Sequence, residues 1–289
     1  MGILNRTPDS FYDKGATWDP SAALESVHRM VGEGADVIDI GGVKAGVGPA
    51  VSELEEIERV IPFIEVVRSR FPHLIISVDT WRAEVGEAAL KAGADILNDT
   101  WAGADPELAH VAAVYSCGFV CSHTGGATPR TNPTPEGVRY ADVVDDIIET
   151  TTTKAQLLVE TGVPRLGILI DPTHDFGKTT VQGLEILRRT PELVATGWPV
   201  LMALSRKDFV GETLDLPTDE RLEGTLASTA IAAFAGAAMF RTHDVQATRR
   251  VVEMTSSIVG ERPPAAPLRG LSESELAEIT EEKRQKGMR

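Results

Sequence analysis

The chain has 289 residues, 42% of them hydrophobic, and a formal net charge of −15 at pH 7. This acidic balance argues against a nucleic-acid-binding surface, which needs a basic stripe. No apolar run reaches the roughly 20 residues that span a bilayer, and no basic-then-apolar leader is present, so we expect a cytoplasmic protein without a membrane partner. The two cysteines, Cys117 and Cys121, fit no disulfide framework and are expected to be buried reduced thiols.

Eight short apolar runs end on polar residues, and a helical pattern follows each of them. Repeated strand–loop–helix units predict parallel strands, and eight such units predict an α/β fold, a single (β/α)8 TIM barrel. Because barrels place their chemistry on the loops after the strands, the eight endings form a candidate site. In chain order the runs are GILN ending at Asn5, VIDIG at Gly41, LIISVDT at Thr80, ILND at Asp99, GFVCS at Ser122, LGILID at Asp171, VLMALS at Ser205 and MFR at Arg241.

The helical segments and the end of the chain complete the predicted organisation. An apolar stripe at helical spacing runs from Val245 through Thr248 and Thr255 to Ile258 and Val259. The barrel is expected to occupy residues 1–260. Residues 261–289 are predicted to form a linker followed by a short charged helix, which starts at a capping box made by Ser272 and Glu275 and forms a peripheral tail.

The last two loops carry basic residues. Arg206 and Lys207 follow Ser205, and consecutive cations at a barrel mouth are costly unless an anionic or electron-rich group faces them. A solvated pair of loop residues is the alternative reading. Arg241 and His243 point to the same side of an extended chain, where they offer a fork for phosphate oxygens and a donor of tunable charge. Barrels commonly bind phosphate at these two loops.

Acidic and amide side chains end most of the other runs. Any one of these aspartates is more simply explained as a structural residue, but several that converge with Lys207 predict a polar pocket for a flat heterocycle. Asn5 is a candidate ligand of Mg²⁺, which prefers oxygen and usually bridges to substrate phosphates. The acidic and amide residues are Asp39, Asp79, Asp99, Asp171, Asn5 and Asn98.

Taken together, the strand endings closely resemble those of dihydropteroate synthase, from Gly2 to about Gly260. The resemblance implies a (β/α)8 homodimer that joins a dihydropterin methyl diphosphate to para-aminobenzoate, with sulfonamides and sulfones competing for the aminobenzoate position. In family enzymes the diphosphate departs first, and the arylamine attacks a pterin-stabilised cation. The matching motifs are MGILNRTPDSF, GADVIDIGG, ISVDTWRAEV, GADILNDT, ILIDPTHDFGKT, ALSRKDFVG and FRTHDV.

The resemblance also implies a role for each strand-end residue. Lys207, Arg241 and His243 become the candidate catalytic residues, and Ser205 would lie near the aminobenzoate. Asn5, together with Arg241 and His243, would form the diphosphate and Mg²⁺ end. The pterin pocket would consist of Asp79, Asn98, Asp171 and Lys207.

The second loop departs from the family pattern. Family enzymes have GGESTRPG after the second strand, whereas this chain reads GGVKAGVG, so the family's Thr and Arg fall at Ala45 and Gly46. A hydroxyl and a guanidinium that help to assemble the diphosphate and amine sites are therefore missing, and such groups are worth orders of magnitude in rate. Lys44 is one position off the alternating pattern and lacks the planar fork of arginine.

Other departures are spread over the remaining loops. After the sixth strand, Thr173 and Asp175 replace two family glycines and are expected to crowd the pterin face. Ala203 adds a methyl group near the expected pterin floor. The remaining changes are Arg6, Tyr12 and Lys14 in the first loop, and Cys121 and Ser122 in place of the family's Met-His pair.

These departures predict a dihydropteroate synthase homologue with very weak or no synthase activity. We expect poor binding of dihydropterin methyl diphosphate and residual binding of sulfones or sulfonamides. One alternative is an active synthase whose mobile loops compensate for the lost groups. The other is a non-catalytic pterin- or metabolite-binding barrel that modulates a partner. All three readings imply a small-molecule pterin or arylamine ligand.

Overall fold

The structure, a computed structural model, describes residues 1–7, 18–131, 139–266 and 269–272. Within these residues eight strands alternate with ten α-helices. Tyr12 and Lys14 of the first loop lie outside the described residues, and so does the charged helix expected after Ser272. The proposed division at residue 260 therefore stays a prediction.

The strands are short and begin and end close to the predicted positions. Five of the eight end at the predicted residue, and the third and eighth end one residue earlier than predicted. The seventh ends at Met202, so that Ser205 belongs to the loop that follows it. The strands are β1 (Gly2–Asn5), β2 (Val37–Gly41), β3 (Ile75–Asp79), β4 (Ile96–Asp99), β5 (Gly118–Ser122), β6 (Ile168–Asp171), β7 (Leu201–Met202) and β8 (Met239–Phe240).

Each strand is followed by at least one helix, and polar side chains cap several of the helix N-termini. Asp19, Ser52, Asp142 and Thr179 each accept hydrogen bonds from backbone N–H groups of the first turn. The helices are α1 (Pro20–Gly32), α2 (Glu53–Arg70), α3 (Ala83–Ala92), α4 (Glu107–Tyr115), α5 (Val143–Thr161), α6 (Thr180–Arg188), α7 (Thr190–Ala195), α8 (Asp208–Leu214), α9 (Leu222–Phe234) and α10 (Val245–Ile258).

Parallel pairing joins the strands into a ring. Strands β1 to β6 pair in chain order, and β7 pairs with β8. Two isolated parallel bridges complete the circuit, one between Ile170 and Val200 and the other between Gly2 and Thr242. At the second bridge the Ile3 N–H donates to the Thr242 carbonyl over 3.0 Å, and the Thr242 N–H donates to the Met1 carbonyl over 2.9 Å. The predicted α/β barrel is therefore confirmed.

The strands separate two environments because their side chains alternate between two faces. On β2, Ile38 and Ile40 are fully buried in the core between the strands and the helices. Val37, on the other face, belongs to a small apolar cluster inside the ring. Asp39 lies on that inner face two residues further on and is also fully buried. The interior thus changes from apolar to polar toward the carboxyl ends of the strands.

Some local predictions need correction, whereas others hold. The stripe predicted on α10 is buried at Val245 and Thr255, but Ile258 is 64% exposed. Burial of the stripe therefore ends at Thr255. Cys117 and Cys121 are both free and buried, as expected. No helix in the described part of the chain is long and apolar enough to cross a bilayer.

Replacing Leu97 tests the core between the strands and the helices. Leu97 on β4 is 0% exposed and lies against Gly86 of α3. Leu97→Ala should lower the free energy of unfolding by about 3 kcal/mol in urea titrations, because it removes buried methyl groups and leaves a cavity. Leu166→Ala is the matched control, since Leu166 is 97% exposed and its truncation should change stability by less than about 0.5 kcal/mol. Equal losses would contradict this placement of the core.

Candidate functional site

A cavity of about 600 Å³ opens at the carboxyl ends of the strands. It brings together all the residues to which the family resemblance gave a role, although they come from the carboxyl ends of six strands and the loops after them. Lys44, Thr173, Asp175 and Ala203 also line it. Asp39 and Asp99, which were also expected to contribute to the pocket, are buried and do not line it. The assigned residues in the lining are Asn5, Asp79, Asn98, Asp171, Ser205, Lys207, Arg241 and His243.

Arg241 forms the electrostatic centre of the cavity. Its Nε donates to Asp39 Oδ2 over 2.6 Å, and its Nη2 donates to Asp79 Oδ2 over 2.8 Å. Burial alone would lower the pKa of Arg241, but the two carboxylates outweigh that effect and raise it. The guanidinium is therefore a permanent cation that already has two anionic partners.

One cation between two carboxylates leaves a negative charge incompletely balanced. Burial raises the pKa of Asp79 to about 6, and repulsion from Asp39 adds to the rise while Arg241 opposes it. Asp79 also accepts a hydrogen bond from the Thr100 hydroxyl at 2.7 Å. Near neutral pH this site therefore carries excess negative charge next to the arginine expected to hold a diphosphate.

Asp39 is the functional residue whose role the sequence did not identify. Its carboxylate accepts hydrogen bonds from Ser77 Oγ at 2.6 Å and from Asn98 Nδ2 at 3.1 Å, in addition to the bond from Arg241. The alternation in VIDIG, which places Asp39 on the face opposite Ile38 and Ile40, was the available signal. Asp39 orients both Arg241 and Asn98 from beneath the cavity floor.

The basic residues of the seventh loop are separated from one another. Arg206 turns away from the cavity and makes a bidentate pair with Asp244 at 2.9 and 3.0 Å. Lys207 points into the cavity, where its Nζ donates to the His174 carbonyl at 2.8 Å and lies 4.7 Å from the centre of the Phe176 ring. Burial lowers the pKa of Lys207. Each cation therefore has its own anionic or electron-rich partner, the Asp244 carboxylate for Arg206 and the His174 carbonyl and Phe176 ring for Lys207, and the alternative of a solvated loop pair is wrong.

The sixth loop retains the backbone shape of glycines at positions that carry side chains. Thr173 has φ of 50° and Asp175 has φ of 68°, in the left-handed region that costs other residues about 1–2 kcal/mol. Hydrogen bonds hold this conformation in place. The Thr173 N–H donates to Asp171 Oδ1 at 2.7 Å, and the Asp175 carboxylate accepts from the N–H groups of Asp208 and Phe209 at 2.5 and 3.3 Å.

A buried lysine ties the fifth and sixth loops together. Lys178 Nζ donates to the carbonyls of His123 and Phe176 at 2.7 Å each, and to that of Thr173 at 3.2 Å. Burial lowers its pKa to about 7. Local sequence pattern could not assign a role to this residue, since its partners are backbone carbonyls of two loops. Lys178 lines the cavity but directs its donors into the protein.

His243 is uncharged in this environment. Its Nδ1 lies 3.0 Å from Ser205 Oγ, and that hydroxyl also accepts from the His243 N–H at 3.2 Å. Burial, helped by the neighbouring Arg241, lowers the pKa of His243 to about 3. The imidazole therefore offers a hydrogen bond at neutral pH and does not add positive charge for a diphosphate.

The second loop lines the cavity with Val43, Lys44 and Ala45. It presents neither a hydroxyl nor a guanidinium, as the sequence predicted. Gly46, at the position of the family's arginine, has φ of 83°, a left-handed conformation that disfavours a side chain. Arg130 of the fifth loop donates to the carbonyls of Lys44 and Pro49 and thereby fixes this loop against the fifth.

Of the described polar residues of the first loop, some line the cavity and one points away from it. Asn5 and Thr7 line it. Arg6 points outward instead, with its guanidinium carbon 4.8 Å from the centre of the Phe63 ring and its Nη1 donating to the Trp18 carbonyl at 2.8 Å. The added charge of Arg6 therefore lies between the barrel and α2 and not in the cavity.

Comparison with known proteins identifies the family of this chain. The pterin binding enzyme family matches residues 1–243. "Inactive dihydropteroate synthase 2" of Mycobacterium leprae is 60% identical over 274 residues, covering 94% of each chain. "Dihydropteroate synthase" of Bacillus subtilis is 39% identical over 261 residues, covering 90% of this chain and 88% of the relative. The Yersinia pestis dihydropteroate synthase, solved as a sulfonamide drug complex, superposes with a TM-score of 0.85 at 34% identity, covering 91% and 94% of the two chains.

The buried histidines make stability depend on pH. Burial lowers the pKa of His123 to about 4 and those of His174 and His243 to about 3, against 6.5 for an ordinary imidazole. Between pH 6.5 and 4 the unfolded chain takes up protons that the folded protein excludes. These residues therefore stabilise the fold above pH 6.5, and this contribution is lost as the pH falls.

Two variants with opposite effects test this linkage in urea titrations from pH 7 to 4. His174→Phe should reduce the loss of unfolding free energy on acidification by about 1.4 kcal/mol per pH unit, the equivalent of one proton. Burial raises the pKa of Asp99 to about 6, so the folded state binds its proton more tightly, and Asp99→Asn should make the loss steeper between pH 6 and 4. Equal slopes in both variants and the wild type would refute the assignment.

Proposed function

Because this chain belongs to the dihydropteroate synthase family, we propose that it is a homologue that keeps the family's cavity for a pterin or arylamine ligand but has lost the synthase reaction. Its ligand is a small molecule that enters at the carboxyl ends of the strands. Asp79, Asn98, Asp171 and Lys207 would contact the pterin ring, and Ser205 would lie near the arylamine. Sulfones and sulfonamides would occupy the arylamine position.

The observation that carries this proposal is the composition of the second loop. Val43, Lys44 and Ala45 face the cavity where a synthase needs a hydroxyl and a fork of donors. Donors that act on charge developing in the transition state are worth about 10²–10³ in rate each. Their loss removes catalysis more completely than it removes ground-state binding of the uncharged ring.

The charge of the cavity supports weak binding of the diphosphate. Arg241 and Lys207 already have partners, and His243 is neutral. A diphosphate would bring further negative charge into a cavity with an excess of carboxylates, and unpaired like charges are costly at low dielectric. The carboxylate side chains in the lining are Asp79, Asp171, Asp175, Asp208 and Glu212.

Mg²⁺ would lessen this repulsion if the ligand brought phosphate oxygens with it. The Asn5 carboxamide is the hard oxygen donor suited to this role. Its Oδ1 and Asp79 Cβ lie on the same side of Gly41, since a methyl group on that glycine would be 3.9 Å from the first and 3.5 Å from the second. No cluster of three metal-ligating side chains is present in the described residues. Asn5 would therefore hold the ion together with water and the ligand, and it would help to orient the phosphate.

A non-catalytic metabolite-binding barrel is the second candidate function. The retained cavity of about 600 Å³, with its hydrogen-bonded floor under Arg241, favours this reading. In either case we propose a cytoplasmic protein that works as a homodimer. Helices α9 and α10 pack together and leave Ile231, Phe234, Met254 and Ile258 more than half exposed, an apolar face suited to a second copy.

Titration and turnover test the loss of synthase activity. With Mg²⁺ present, calorimetry should show dihydropterin methyl diphosphate binding at least about 100-fold more weakly than to the Bacillus subtilis synthase measured in parallel. Steady-state turnover with para-aminobenzoate should be lower by at least about 10³-fold. Turnover comparable to that of the parallel enzyme would establish the active alternative and overturn the proposal.

Reversion of the second loop tests the cause of the loss. Ala45→Thr combined with Gly46→Arg should leave turnover below one tenth of the parallel enzyme, because the left-handed Gly46 disfavours the new side chain and Thr173 and Asp175 still crowd the sixth loop. The wild type and Ala45→Ser are the controls measured alongside. Full recovery of turnover would show that the second loop is the sole lesion.

Light scattering after gel filtration tests the proposed dimer. Wild-type protein should elute with the mass of two chains, and Phe234→Glu should shift it to one, since a charge in the centre of an apolar interface is left desolvated and unpaired. Leu166→Glu places the same charge at an exposed leucine outside this face and should leave the mass unchanged. A monomeric wild type at micromolar concentration would rule out this use of the face.

A further inference from the structure

Most charged side chains that line the cavity already have a partner in the protein. Of the cations, Arg241 pairs with Asp39 and Asp79. Lys178 donates to three backbone carbonyls. Lys207 donates to a carbonyl and lies over a ring. Each of these three cations is therefore already held by at least one contact within the protein.

The carboxylates that line the cavity are engaged in the same way. Thr100 and Arg241 contact Asp79, and the Thr173 N–H contacts Asp171. The remaining pairs are Asp175 with the N–H groups of Asp208 and Phe209, Asp208 with Arg221, and Glu212 with Thr180. These bonds reduce the attraction that the acidic groups exert on a cationic ligand.

Lys44 is the exception. Among residues 1–7, 18–131, 139–266 and 269–272, its ammonium has neither an ion pair nor a hydrogen bond, although the side chain is partly buried and lines the cavity. A cation held partly out of water without a counter-charge favours an anion from outside. Of the charged side chains in the described lining, it is the one that makes no hydrogen bond or ion pair within the described residues.

The backbone that carries Lys44 is held in place by Arg130. One Nη group of Arg130 donates to the Lys44 carbonyl, and the other donates to the Pro49 carbonyl at 2.7 Å. A methyl group on Gly48 would collide with the guanidinium, which therefore lies directly against the loop at this glycine. The guanidinium thus binds the loop through two carbonyl groups that are five residues apart. Pre-organising a binding group in this way lowers the entropy lost when a ligand binds.

We propose that Lys44 recognises a single anionic group, a carboxylate or a phosphate, on the ligand of this cavity, and that Arg130 positions Lys44 for that contact. The inference rests on the proposed function, since it concerns the ligand of the same cavity. An ammonium is a compact point charge, which suits one compact anion. A diphosphate would extend further toward the carboxylates. The cavity is thereby selective for a flat ring that carries one negative charge.

Paired ligands that differ only in charge test the role of Lys44. In calorimetric titrations the wild type should bind 4-aminobenzoate about tenfold more tightly than the uncharged 4-aminobenzamide. Lys44→Met should remove this preference by weakening the benzoate about tenfold while leaving the amide unchanged. Lys44→Arg should retain the preference. Lys91→Met, which removes an exposed lysine of α3 outside the cavity, is the control and should also retain it.

The same pair of ligands separates positioning by Arg130 from a merely structural role. Arg130→Met should weaken 4-aminobenzoate at least about threefold with little effect on the amide, and hydrogen exchange of residues 42–50 should accelerate. A structural defect would instead weaken both ligands alike. Equal weakening of the two ligands, or an unchanged preference, would overturn the positioning role.

Two further measurements identify the source of the anion. They also distinguish a failure of the proposed function from a failure of the role of Lys44. Displacement of 4-aminobenzoate by inorganic phosphate in the wild type supports a phosphate-bearing ligand, and lack of displacement supports a carboxylate. Absence of binding by uncharged 6-hydroxymethylpterin would overturn the proposed function. If that pterin binds and Lys44→Met keeps the wild-type preference, only the role of Lys44 is overturned.

Discussion

A single, largely buried guanidinium connects three strands that are far apart in the chain. Arg241 at the end of β8 contacts Asp39 of β2 and Asp79 of β3, and Asp39 in turn orients Asn98 of β4. The polar floor of the cavity depends on this arrangement, because without Arg241 the two carboxylates would lose their cationic partner and keep only neutral hydrogen-bond donors. The same contacts limit the chemistry of the site, since the charge of Arg241 is already balanced.

The loops above this floor explain how a barrel can keep its shape and change its function. Loop two offers no transition-state donors, and loop six keeps a glycine-like backbone at Thr173 and Asp175 with side chains added. Neither change disturbs the strands, because loop residues contribute little to the core beneath them. Fold and catalysis are therefore separable here, and the polar floor can persist while the reacting groups are lost.

Much of this architecture could be predicted from the chain. Alternating apolar runs with polar endings gave the eight strands, and five of them end at the predicted residue, because the period of side chains in a strand is a local property. The gathering of the strand-end residues in one cavity followed from parallel strands alone. The inner-face position of Asp39 was also accessible from the alternation in VIDIG, although its bonding to Arg241 was not.

The interaction partners and protonation states of the site residues could not be predicted from local sequence patterns. Arg206 and Lys207 are neighbours in the sequence. Only the fold shows that Arg206 pairs with Asp244 while the side chain of Lys207 enters the cavity. The sequence presented His243 as a residue of tunable charge, and burial beside Arg241 makes it neutral.

The sequence by itself determined the barrel and the set of residues at its mouth, because these follow from residue type and spacing. The loss of the second loop's reactive groups was also readable from the sequence, but only by comparison with the family pattern that it resembles. The tertiary structure decided which charges are already paired and that the ammonium of Lys44 has no partner in the described residues. Pairing and burial depend on groups more than 100 residues apart, such as Arg241 and Asp79, which meet only when the ring closes.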